Sequence, residues 1–149
     1  VDRDPSSSER TGDPTGHTRA APGRAAPGRA AGAVIWFRRD LRVEDNPALA
    51  AAVDHAGAMG AGVAPLFVAD ETLLPGAGRN RRAFLAGGLA ALTDHLDGSL
   101  TLRWGRPAEV VPAFAAETGA AVVFATGDVG GWARRRDGEV AAALAAGGR

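Results

Sequence analysis

The stretch AVIWFRRDLRVEDNPALAAA, residues 33–52, runs from five apolar residues into RRDLRVED, where six of eight positions are charged, and then into an Asn-Pro step that opens a second apolar run. AVIWF (33–37) has the composition of a buried strand. Asn46 is suited to cap a helix and Pro47 to occupy its first turn, so Ala48 to His55 read as that helix. A strand, a charged loop and a helix in this order set the pattern for the rest of the chain.

The alternation repeats. VAPLFVA (63–69) reads as a second strand, with Pro65 near its start. Arg81 to Leu96 reads as a helix, because Leu85, Leu89, Leu92 and Leu96 fall on one face. Gly87 and Gly88 weaken it by about 1 kcal/mol each relative to Ala. SLTLRW (99–104) is the third strand, and Pro107 opens a helix with Val110, Val111 and Phe114 facing inward, Gly119 as its stop and Pro112 expected to kink or shorten it. AAVVFA (120–125) is the fourth strand, and Trp132 to Ala146 the fourth helix, with Val140 and Leu144 as its inner stripe. The fold class expected is therefore α/β: a Rossmann-like, doubly wound parallel sheet with helices on both faces. In such sheets ligands sit beyond the carboxyl ends of the strands, and the charge cluster lies at one of those ends.

Composition narrows the function classes. The chain has 149 residues, one domain's worth, with 17 Arg, no Lys and 17 acidic residues. It has no broad cationic surface of the kind that neutralises a nucleic-acid backbone. The absence of Cys excludes disulfides, thiolate ligands and thiol nucleophiles. No apolar run approaches the roughly 18 residues of a membrane span, so the expectation is a cytoplasmic protein with no membrane partner. Residues 1–32 contain one Val and no other large apolar side chain, and read as a disordered tail rich in Arg, Pro, Gly and Ala, with 33–149 as the folded domain.

Other motifs lead nowhere. GAMGAG (57–62) precedes a strand instead of following one, so it is no dinucleotide fingerprint, and no P-loop occurs. His17, His55 and His95 show no metal-ligand spacing, and no metal is expected. Arg134 to Arg136 read as a solvated helix face. Taken by themselves, the charges of the 38–45 loop are better explained by ion pairs that tie the loop to nearby helix ends.

The residues carry a resemblance as well. WFRRDLRVEDNPALAAA resembles the signature opening of the photolyase/cryptochrome family, usually WFRxDLRxxDNPAL, and the likeness continues through LFVADETLL (66–74), RRAFLAGGLAAL (81–92), RWGRPAEVVPAFAAETGA (103–120) and GWARRRDGEVAAAL (131–144). It implies the family's amino-terminal α/β domain, which carries a light-harvesting antenna chromophore in many members, here without its last edge strand. The flavin (FAD), the surface for damaged DNA and the redox tryptophans belong to a carboxyl-terminal helical domain of the parent photolyase. This chain is thus expected to be a fragment inactive alone, and Trp36, Trp104 and Trp132 are expected to pack in the core or at its rim. Two alternatives stand beside a photolyase parent: a cryptochrome-type light-signalling fragment, and an unrelated nucleotide-binding module of the same topology. The latter's glycine-rich phosphate loop is missing.

By the same resemblance, the antenna site would draw on Arg39, Asp70, Arg81 and Asp128 as polar anchors and on Phe67 and Val68 as apolar walls. The sequence departs from the family at TGDVGGWARRRD (126–137), where Thr126, Val129, Gly130 and Gly131 replace Asn, an aromatic, Glu and Pro. A folate antenna relies on that Asn and Glu, so the implied chromophore is a deazaflavin.

Overall fold

The computed structural model describes residues 30–149. Most of the segment expected to be a disordered tail lies outside the described residues. Ala31 and Gly32, counted with it on composition, belong to the packed fold: Ala31 N–H donates to the Thr118 carbonyl (2.8 Å) and Gly32 N–H to that of Gly62 (2.9 Å). Their small side chains let the backbone pass close to the end of the first helix. A Cβ on Gly32 would fall 2.7 Å from Ala56 Cα.

Four strands and four helices alternate: β1 (Ala33–Phe37), α1 (Pro47–Ala58), β2 (Val63–Asp70), α2 (Arg79–His95), β3 (Thr101–Gly105), α3 (Pro107–Thr118), β4 (Val123–Phe124) and α4 (Gly131–Ala146). The sheet is parallel throughout, in the order β3-β2-β1-β4. All five residues of β1 are buried, because both faces of this strand are covered. Ala33, Ile35 and Phe37 pack with Leu49, Ala52 and Ala56 of α1 and Leu92 of α2. Val34 and Trp36 pack on the other face with Val111 and Phe114 of α3 and Val140 of α4. Each fully buried Ile or Leu of these layers contributes about 1.5–3 kcal/mol.

Local chemistry explains the remaining features. Pro65 precedes the first β2–β3 pair, Leu66↔Thr101, so its missing N–H costs no bond to β3. α3 runs through Pro112 without shortening and ends at Gly119, whose left-handed φ of 71° lets its N–H close on the Ala115 and Ala116 carbonyls. The Leu stripe of α2 holds, with Leu92 and Leu96 buried and Leu85 and Leu89 half-buried. β4 is shorter than expected: only Val123 and Phe124 pair with β1. Trp36 lies in the core and Trp132, about half exposed at the start of α4 with Arg136 over its ring, lies at the rim; Trp104 needs correction, being exposed on the edge strand β3.

β2 lies on one side of β1 and β4 on the other, so the strand order reverses at β1. The crevice at that reversal opens at the carboxyl end of the sheet, where residues 38–46 emerge.

Candidate functional site

The loop after β1 sends its two adjacent arginines in opposite directions. Arg38 turns back over the fold. Its guanidinium lies 4.7 Å from the centroid of the Trp36 ring, pairs with Asp137 of α4 and donates to the Thr126 carbonyl beyond β4. A second guanidinium, Arg136, lies 5.2 Å from the same ring and 5.0 Å from that of Trp132, and its Nε and Nη2 donate to Asp137 Oδ1 at 3.0 and 2.9 Å. The Arg38 and Arg136 side chains are only 9% and 12% exposed. Arg136 is therefore no part of a solvated helix face: the flat faces of two indoles take its guanidinium out of water.

Arg39 points outward, its side chain 81% exposed, and Nη1 reaches Asp128 Oδ1 and Oδ2 at 3.2 and 3.3 Å. The same Asp128 Oδ1 accepts from the Gly130 N–H at 3.2 Å. That backbone bond foremost, and then Arg39, hold the Asp128 carboxyl below the usual aspartate range against the opposing effect of burial. The rest of the loop is bracing. Arg42 Nε meets Asp40 Oδ1 at 2.8 Å. Buried Asn46 accepts from the Leu49 N–H at 3.0 Å as the α1 cap and donates from Nδ2 to the Arg42 carbonyl at 3.0 Å.

Among the described residues, two of the hollows at this end of the sheet border the loop after β1. The smaller, about 240 Å³, lies between the ends of β1 and β4 and is lined by Arg39, Asn46 and residues 126–129. The larger, about 430 Å³, lies over the ends of β1 and β2 against the start of α2. Of the six residues named from sequence, Arg39, Phe67, Val68, Asp70 and Arg81 all line the larger hollow. Asp128 does not: it lines the smaller one and reaches the larger only through its bond to Arg39. Asp70 is buried, and its Oδ1 accepts from the Thr72 N–H at 2.8 Å and the Thr72 hydroxyl at 2.7 Å, so that oxygen closes the turn after β2.

The walls that sequence reasoning missed are Trp36, Leu41, Leu73 and Phe84. Phe84 is 85% exposed at the rim, next to the Leu stripe of α2, and its position one residue off that stripe was the available signal. A hollow of this volume with flat apolar walls and arginines at its edge suits a planar ring with one or two polar edges. Among the described residues no group of three or more His, Cys, Asp or Glu side chains could hold a metal ion. His95 Nδ1 lies 2.7 Å from the Ala91 carbonyl of its own helix, and the His55 ring lies 5.8 Å from Phe124. No described helix is long and apolar enough to cross a membrane.

The family model described as DNA photolyase matches residues 33–149. The chain is similar to cryptochrome DASH of Natronomonas pharaonis, 41% identical over 122 residues that make up 75% of this chain and 25% of the relative. It is likewise similar to the deoxyribodipyrimidine photo-lyase of Streptomyces griseus, 42% identical over 122 residues, 78% of this chain and 26% of the relative. Among solved structures it resembles an archaeal photolyase from Sulfolobus tokodaii, described with two FAD molecules and the implication of a novel light-harvesting cofactor. That match has a TM-score of 0.67 and 25% identity, covering 78% of this chain and 27% of the other. The chain thus spans about a quarter of the length of the relatives it matches.

Proposed function

The chain belongs to the DNA photolyase family, and from that membership we propose that residues 33–149 form the amino-terminal antenna domain of a deoxyribodipyrimidine photolyase, with a light-absorbing chromophore held in the larger hollow. The observation that carries this reading is the convergence of Arg39, Phe67, Val68, Asp70 and Arg81 on one cavity of about 430 Å³.

The ligand class we assign is a tricyclic deazaflavin or flavin ring. Phe67, Leu73 and Phe84 offer it apolar surface, and Arg39 and Arg81 offer hydrogen-bond donors to carbonyl or phenolate oxygens at its edge. Folate is disfavoured because Thr126 and Gly130 stand where a folate antenna uses Asn and Glu. In this reading FAD, contact with damaged DNA and the splitting of pyrimidine dimers belong to the three quarters of the relatives that this chain does not match. The similarity to cryptochrome DASH favours a second reading, the same chromophore domain in a light-signalling protein.

Fluorescence titration of the chain with 5-deazariboflavin and with 5,10-methenyltetrahydrofolate tests the assignment. Saturable binding of the deazaflavin, at least about tenfold tighter than the folate, is expected. Tighter folate binding, or no deazaflavin binding, contradicts it.

A further inference from the structure

Trp36 is the buried member of the three Trp residues and lines the larger hollow. An indole beside a photo-excited flavin-type ring is a hazard, because one electron can pass from the indole π system to the excited ring. The products are an indole radical cation and a chromophore radical anion, with no proton or bond moved, and the excitation is lost. The surroundings of Trp36 oppose that step. Arg38 lies 4.7 Å and Arg136 5.2 Å from the ring centroid. Both pair with one carboxylate, Asp137, so two cations share one anion beside the indole. A neutral ring attracts these cations, whereas an oxidised ring is repelled by them, and their burial limits the screening.

We propose that Arg38 and Arg136 protect Trp36 from photo-oxidation, so that a chromophore in the cavity it lines keeps its excited state. The proposal rests on the chromophore reading above. Its test is the excited-state lifetime of 5-deazariboflavin bound to the full chain, after binding has been measured by fluorescence anisotropy. Arg136→Met, which keeps side-chain bulk and removes the charge, should shorten the bound lifetime at least about twofold. Arg136→Lys should keep the wild-type value, and adding Trp36→Phe to Arg136→Met should restore it. An unchanged lifetime in Arg136→Met, or a short lifetime that persists without Trp36, overturns the proposal while the chromophore site stands. Failure of the wild-type chain to bind the probe overturns both.

Discussion

Arg39 and Asp128 join the loops that follow β1 and β4: the Arg39 Nη1 lies 3.2 Å from Asp128 Oδ1 across the smaller hollow while also bordering the larger one. Its partner carboxylate is anchored independently by the Gly130 N–H.

That dual anchoring predicts how Asp128 titrates. Its carboxyl is held below the usual aspartate range, so the stability its contacts contribute is whole above the unfolded pKa and is lost as pH falls through the lower folded one. Arg39→Ala should raise the Asp128 pKa only part of the way to the ordinary value, because the Gly130 bond is the larger cause. Carbon-13 NMR of the side-chain carboxyl across acid pH measures this; a full return to the ordinary value would show that Arg39 dominates.

The adjacent arginines should separate stability from binding. Arg38→Met removes a buried cation from the Thr126 carbonyl and from Asp137, which keeps its pair with Arg136, and should cost about 1–3 kcal/mol in urea unfolding. Arg39→Ala removes an exposed side chain, so the unfolding midpoint should hardly move while 5-deazariboflavin affinity falls about tenfold. Equal losses of stability in the two variants would make both arginines bracing.

Asn46→Ala deletes the α1 cap and the bond to the Arg42 carbonyl. Unfolding should be easier by about 0.5–2 kcal/mol, with any change in chromophore affinity secondary. Parallel melts and titrations check the split.

The two neighbouring glycines of α2 should respond differently to alanine. A Cβ at Gly87 meets nothing within 4 Å, so Gly87→Ala should stabilise by about 0.5–1 kcal/mol. A Cβ at Gly88 would lie 3.2 Å from Leu41 Cδ1, so Gly88→Ala should gain less and shift Leu41 at the cavity wall. Chemical denaturation of both variants ranks them.

Local patterning made most of the fold legible. The apolar run of β1, the Asn46-Pro47 step and the Leu spacing of α2 each act within a few residues, and each lies where it was expected. What escaped depends on distant partners. Arg136 reads as solvated until Trp36, a hundred positions earlier, is folded against it. Trp104 reads as packed in the core or at its rim until β3 proves to be the edge strand among the described residues. The extent of β4 depends on how many residues β1 can pair, which its own sequence does not encode. The candidate site was legible through its family likeness rather than through spacing, and the separation of Asp128 from the larger hollow emerged only from the geometry of the two loops.

The central claim is that the larger hollow is a chromophore site, and a crystal structure of the chain soaked with 5-deazariboflavin tests it most directly. The account predicts the tricyclic ring in the hollow against Phe67 and Phe84, with Arg39 or Arg81 within hydrogen-bond distance of its edge. A ring seated in the smaller hollow beside Asp128, or one found only on the exposed face of β3 at Leu102 and Trp104, would contradict it.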